Sequence, residues 1–523
     1  MALPSVTINR LSGGIGRQGA GTDYYSGFLF YYPTGATLPT AFQSTPIKAL
    51  NSITDLVALG VDGTSTDETK STGTWLCSTA GVAGETVSLS FTDPFTGTTT
   101  VLATAIVPAT PTTTTTATAL KNAINANTYL NGFTATSSTA TVTFTPGAGY
   151  GAALNSGTPY TITYSSTPTV AGTLTQNVVT GIGSNHDVLY YHVREAFRMQ
   201  GILNGRPQGQ IWVGCYNVSA SPSTYANFTE VKTMQSFANG AIKQMGVYAT
   251  TTAFATSHVT ALQSRATELQ ALNTPLSIVY QGDFSATSDL TTLANLATLN
   301  SKNVSVTIGQ DGGNVGKNLY KAYGKSIGMV GTTLGAIALA KVSDSLVWRD
   351  KFNAQDTLEY VTLAWANGTL QSASGSGLNA LMTQVDLYAY TFLMPEIGIN
   401  GSFFNNDRTC TLLSSDYSFI ADNRTIDKEA RGLRAAIIGS LGSPITYNSD
   451  GTLSADTVDY FSGLCDSFLN TMIANKEISA SKTIIDPAQN VQSTGNLVVQ
   501  VQNVQTGVAR NIIVNIGYVA AIS

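Results

Sequence analysis

The chain has 523 residues, more than a single hydrophobic core serves, so roughly two to four domains are expected. Only 11% of residues are charged, against roughly 25% in soluble proteins at large, and the deficit is filled by Thr, Ser, Asn and Gly. A net charge of −5 offers no basic footprint to nucleic acid or anionic membrane, and the four distant cysteines, without a CxxC pair, form no zinc or redox motif.

Residues 1–70 read as an N-terminal arm and the start of the core. Val6 and Ile8 alternate with Ser5, Thr7 and Asn9, a strand pattern, and Gly13, Gly14, Gly16 and Gly19 follow as a bend. Gly14–Gly19 spells GxGxxG, but a dinucleotide site needs that turn to open a helix, and Ala20-Gly21-Thr22-Asp23 has no helical pattern. A short helix is predicted near Ser52–Leu59. Residues 71–180 read as an inserted, mostly β domain, rich in Thr, Ser, Gly and Ala. Alternation predicts strands at Thr86–Phe91, Thr98–Val107, Phe133–Thr145 and Tyr160–Tyr164, with one helix at Ala117–Ala126 and a loop at Thr112–Thr116.

Residues 181–396 alternate helix and strand, which predicts a largely parallel sheet covered on both faces. The helices are placed at His186–Gln200, from Thr229 to Met245, at Ser257–Leu272, Asp289–Leu299, Lys317–Lys341 and Leu378–Leu393. The strands are Ile211–Tyr216, Val247–Thr250, Leu276–Tyr280 and Val304–Ile308. Ser326–Ala340 is apolar but shorter than the roughly 20 residues that span a bilayer. Its Gly331 and Gly335, in GxxxG spacing, predict a helix packed closely against another. Gly312–Asn318 resembles a P-loop, but the spacing is one residue short and Asn318 replaces the hydroxyl that would meet Mg²⁺. His186 and His192 are six apart, which is no metal spacing on a helix, and no GxSxG supports a nucleophile.

Residues 397–523 read as an α+β unit with helices at Lys428–Leu441 and Ala455–Lys476, the second capped by Ser454. Lys428, Arg431 and Arg434 share a helix face: either a solvated face or a strip for an acidic partner. At the end, Val499 and Val501 alternate with Gln500 and Gln502. Ile512, Val514 and Ile516 alternate with Ile513 and Asn515, and Thr506-Gly507 lies between the two runs. This predicts a terminal hairpin. Strand-like ends on a chain without catalytic equipment point to self-association by strand addition. The N-terminus has no basic segment followed by an apolar run, so no signal peptide is expected.

The order of these parts resembles the sheath proteins of contractile phage tails and related injection machines. The carrying segments are the start LPSVTINRLSGGIGR, Ile47–Val61, HDVLYYHVREAFR followed by IWVGCY, and the closing Ile484-Ile485-Asp486-Pro487, NLVVQVQ and ARNIIVNIGY. They cover roughly residues 1–65 and 185–523; the insert lies outside the likeness. The resemblance implies a multidomain α/β and α+β fold with terminal arms that complete a β-sheet shared with neighbouring subunits. The arms would be carried by Val6, Ile8, Val499, Val501, Ile512, Val514 and Ile516, with hinges at Gly13, Gly14, Gly16 and Gly495. It further implies stacked hexameric discs around an inner tail tube, with baseplate and tail terminator proteins as partners. Lys428, Arg431 and Arg434 would be tube-facing charges. It implies no enzyme activity, no cofactor, no metal, no nucleic acid and no membrane insertion, and a place in the virion tail after assembly in the host cytoplasm. The alternative is a tail or surface adhesin whose β insert binds a receptor.

Overall fold

A computed structural model describes residues 22–201, 209–218, 227–287, 289–313, 315–355, 363–366 and 377–514. Its centre is a seven-stranded sheet in the order Tyr390–Thr391, Val304–Thr307, Ser277–Asp283, Gln244–Ala253, Ser26–Tyr32, Ile211–Asn217, Ile47–Leu50. Neighbours are parallel except for the last pair, as the alternation of helix and strand predicts.

The central strand, Ser26–Tyr32, is buried along its whole length. Leu29 and Tyr31 face one apolar layer with helices Glu230–Phe237 and Thr256–Ala271. Phe28, Phe30 and Tyr32 face the other, with helices Asn185–Gln200 and Val330–Leu339. Those last two helices cross at the GxxxG glycines. A Cβ on Gly331 would stand 2.1 Å from the His192 carbonyl oxygen, and one on Gly335 would stand 2.3 Å from that of Ala196. Every residue of Val330–Leu339 is buried, and among the described residues no helix is long and apolar enough to cross a membrane.

Several predicted helices are shorter than expected, for identifiable reasons. Lys317–Lys341 is two helices, Val315–Tyr323 and Val330–Leu339, separated by Gly324 and Gly328 in the left-handed region. The helix after Thr229 stops at Phe237. Asn239 and Gly240 adopt positive φ, and the buried Gln235 side chain bonds both backbone groups of Ile242. Met245 therefore belongs to a strand, opposite Gly27 and Ile278. Asp289–Leu299 forms two 3-10 turns, and Gly377–Leu387 ends before the strand Tyr390–Thr391.

Between Thr72 and Val179 lie a four-stranded sheet, a three-stranded sheet and the helix Thr113–Ala126. They enclose an apolar cluster of their own around Trp75, Leu89, Phe91, Leu120, Phe144 and Tyr160. The threonine run read as a loop instead starts the helix. Thr112 Oγ1 accepts from the Thr115 N–H at 3.0 Å, and Thr115 Oγ1 accepts from that of Thr112 at 2.8 Å. Strands Thr72–Thr79 and Ala171–Val179, absent from the sequence reading, pair with each other as the two stems of this unit.

Candidate functional site

The C-terminal unit is organised by the helix Ile420–Ile437, which starts eight residues earlier than the charge pattern suggested. Arg424 is buried inside it, donating to the carbonyl of Lys341 at 3.2 Å and, at 3.4 Å, to that of Asp23. Burial pulls its guanidinium down to about 10. Lys428 bridges two acids, Asp23 at 2.8 Å and Glu477 at 2.6 Å. Arg431 reaches Asp23 at 3.5 Å and the Pro275 carbonyl at 3.4 Å. Burial pushes the Asp23 carboxyl up, but Lys428, with Arg424 and Arg431, outweighs it and holds the group below the usual range.

In this geometry two of the three strip residues are engaged within the chain. Lys428 and Arg431 neutralise internal acids, and of the three only Arg434 is exposed. Their shared task is positional. Asp23 sits in the first described turn, Thr22–Tyr24, and Glu477 directly precedes the strand Ile478–Ile484. One lysine therefore ties the root of the N-terminal segment to the root of the C-terminal strands.

Those strands differ from the predicted hairpin. Gln500–Gln505 does not pair with the described residues beyond Thr506. It runs antiparallel to Ile478–Ile484 of the same chain, from Ile484↔Gln500 to Ile478↔Gln505. Helix Ala455–Ala474, capped by Ser454 as predicted, supplies Cys465, Leu469 and Met472 beneath the pair, where Val499 and Val501 pack. The pair has no third strand among the described residues.

Residues 506–514 carry no strand. Arg510 fixes this stretch to the body: its guanidinium lies 3.5 Å from the centre of the Phe419 ring and 3.0 Å from the buried Asp407 carboxylate. Beyond it, Ile512, Ile513 and Val514 are 81%, 84% and 71% exposed. At the opposite end of the same helix lies an apolar groove of about 760 Å³, walled by Ile437, Leu441, Ile445, Phe461, Leu497 and Val499. Gly495, which also lines it, adopts positive φ and closes the turn Val491–Thr494.

Val6, Ile8, Gly13, Gly14, Gly16, Gly19 and Ile516 lie outside the described residues. Among the other proposed arm residues, Val499 and Val501 are packed onto their own chain, while Ile512 and Val514 have no strand partner among the described residues. Sequence reading missed Asp23, Glu477, Phe419 and Arg510. Each acts through a contact distant in sequence, so no local pattern marks it.

The other motifs resolve structurally. At the P-loop-like turn, the buried Asp311 carboxylate accepts from the N–H groups of Gly313 at 2.9 Å and Gly316 at 3.2 Å. A carboxylate thus occupies the place a phosphate would need. His258 Nδ1 is 2.8 Å from the Tyr280 hydroxyl, and His186 lies between Thr66 and the Thr37 carbonyl. His192 is fully buried, which pulls its imidazole down to about 3. The four cysteines are free and buried. Among the described residues, no group of three or more potential metal-ligating side chains occurs.

Residues 416–523 match the family model described as DUF2586, C-terminal domain. No curated protein matches the chain. Among solved structures, a chain of the anti-feeding prophage baseplate is similar at 12% identity, covering 63% of this chain and 80% of that one, with a TM-score of 0.41. A chain of the PVC extracellular contractile injection system sheath complex, in the contracted state, gives 13% identity, 64% and 81% coverage and a TM-score of 0.41. A sheath tail protein of Listeria innocua gives 10% identity over 94% of this chain and 96% of that one, with a TM-score of 0.36. With scores this low, the functional reading rests on this chain's own residues.

Proposed function

We propose that the chain is a structural subunit of a contractile tail sheath. One observation carries the reading: a two-stranded sheet, without a third strand among the described residues, leads into a segment whose apolar residues Ile512, Ile513 and Val514 stand exposed. An unfinished sheet beside an exposed β-branched segment is the arrangement that strand addition between chains completes. In this reading, subunits stack as hexameric discs around an inner tail tube, between baseplate and tail terminator, in a virion tail assembled in the host cytoplasm. The terminal arms stay paired with neighbours while Gly13, Gly14, Gly16 and Gly495 bend, and contraction drives the tube through the target envelope. The chain then needs no cofactor, catalysis, nucleic acid or membrane insertion. At about 25 cal/mol per Å² of apolar surface, a few hundred Å² of added contact gives several kcal/mol per subunit. Summed over a long array, that makes contraction irreversible.

Overexpression followed by negative-stain microscopy tests this. Long hollow cylinders are expected. Discrete small oligomers at every concentration overturn the reading and favour a receptor-binding tail or surface protein.

A further inference from the structure

Residues 506–509 and 511–514 are exposed, and Arg510 between them is not. Its guanidinium donates to Asn406 Oδ1 and, at 3.0 Å, to Asp407 Oδ1, and lies over the Phe419 ring at 3.5 Å. The seat is held from behind. Asp407 Oδ1 also accepts from the Ser345 hydroxyl at 2.8 Å, and the Asp407 carbonyl accepts from the Ile420 N–H at 2.8 Å. Asp407 is wholly buried, and the Arg510 side chain is 22% exposed. A cation shared between a buried carboxylate and an aromatic face is held more firmly than a solvated ion pair.

The seat also dictates conformation. In a strand, Arg510, Ile512 and Val514 would share one face. Here Arg510 points into the body while Ile512 and Val514 stand 81% and 71% exposed, and residues 506–514 form no strand. With Arg510 seated, Ile512 and Val514 stay within about 7 and 14 Å of it.

We propose that Arg510 is an autoinhibitory latch: seated on Asn406, Asp407 and Phe419, it keeps residues 511–514 from pairing with another copy, and it opens when they do. The proposal rests on the strand addition put forward above and adds the step that gates it. The latch answers a hazard, because an apolar stretch free to form a strand recruits other chains without order. Opening exchanges the Arg510 contacts for water and a neighbour's strand, so pairing proceeds only where a neighbour offers an edge. A copy latched about nine-tenths of the time has its affinity for a neighbour lowered about tenfold, because only open copies bind.

Two variants of the full chain open the latch differently. Arg510→Ala removes the guanidinium. Phe419→Leu keeps Arg510 and the apolar bulk beneath it but removes the ring face. Both should melt within a few degrees of the parent. Trypsin competes directly for the guanidinium. In dilute monomer, cleavage after Arg510, followed by mass spectrometry, should be about tenfold faster in Phe419→Leu than in the parent. Light scattering should show both variants polymerising at a concentration about tenfold lower. Adding Ile512→Asp and Ile513→Asp to Arg510→Ala should abolish that gain, since the freed segment is what pairs.

Equal cleavage of the parent and Phe419→Leu overturns the latch. So does an Arg510→Ala chain that polymerises at the parent's concentration or above it, which makes Arg510 a brace of the assembled state. A gain that survives Ile512→Asp and Ile513→Asp overturns it too, since residues 511–514 are then not what the latch restrains. If the parent and both variants stay monomeric at every concentration, the sheath reading falls and the gating role falls with it.

Discussion

At the scale of single residues, burial sets what the charged groups do. Asp427 sits inside the helix Ile420–Ile437, and its Oδ2 has no hydrogen-bond partner. Burial pushes its carboxyl up to about 6, against the pull of Arg431, Lys302 and Arg424. A carboxyl raised on folding favours the fold most below its unfolded value near 4. That contribution is lost as pH rises through 6, where the fold must hold a buried anion. Asp427→Asn should therefore stabilise the protein by about 2 kcal/mol at pH 8, with the gain shrinking toward zero near pH 4. Urea denaturation at the two pH values checks both the sign and the convergence. Spacing alone correctly placed Lys428, Arg431 and Arg434 on one face. It could not show where that face points, because Asp23 lies some 400 residues away in sequence and only folding brings it to Lys428.

At the scale of elements, legibility followed local pattern and composition. The helix Ala455–Ala474 was readable because one stripe is buried, and the insert strands because one side of each is. The central strand Ser26–Tyr32 was missed although Ile211–Asn217 and Ser277–Asp283, also buried on both faces, were read from their β-branched residues; the central strand has no Val, Ile or Thr to mark it. Its neighbour Ile211–Asn217 is also far away in sequence. At the chain end, alternation identified Gln500–Gln505 as a strand but could not name its partner, which lies upstream rather than across Thr506-Gly507. The GxxxG spacing was informative because it needs only one local fact, a missing Cβ. Gly331→Ala would drive a methyl against the His192 carbonyl and force the two buried helices apart. A loss on the order of 3 kcal/mol is expected. In Ala455–Ala474, by contrast, Gly463 is exposed with nothing within 4 Å of an added Cβ. Gly463→Ala should raise stability by about 1 kcal/mol through helix propensity alone. Opposite shifts in thermal unfolding for the two Gly→Ala changes would establish that close approach, and not glycine content, governs the crossing.

At the scale of the whole molecule, the unit between Thr72 and Val179 is joined to the core through a narrow neck. Thr69 and Ile182 face each other as an antiparallel bridge, with N···O distances of 2.9 and 2.8 Å, so the chain leaves and re-enters the core at one point. Around it, Asp67 accepts from the backbone N–H groups of Asn185 and His186, which secures the start of the helix Asn185–Gln200 from the core side. Contacts also reach across: Glu68 accepts from the N–H groups of Gly149 and Gly151, Lys321 donates to the Pro94 carbonyl at 2.7 Å, and the turn Gly151–Leu154 packs against the helix Val315–Tyr323 at Ala322. Replacing residues 71–180 by a short Gly-Ser linker closes ends that already lie side by side, so loop entropy hardly opposes it. The excised chain should melt cooperatively within a few degrees of the parent, because the sheet and both its helical layers lie outside the removed residues. If the insert projects away from the subunit contacts, cylinders of smaller outer diameter should persist in negative stain. Their disappearance, with the excised chain still folded, would place the insert between subunits and make its Thr-rich strands part of the subunit contact.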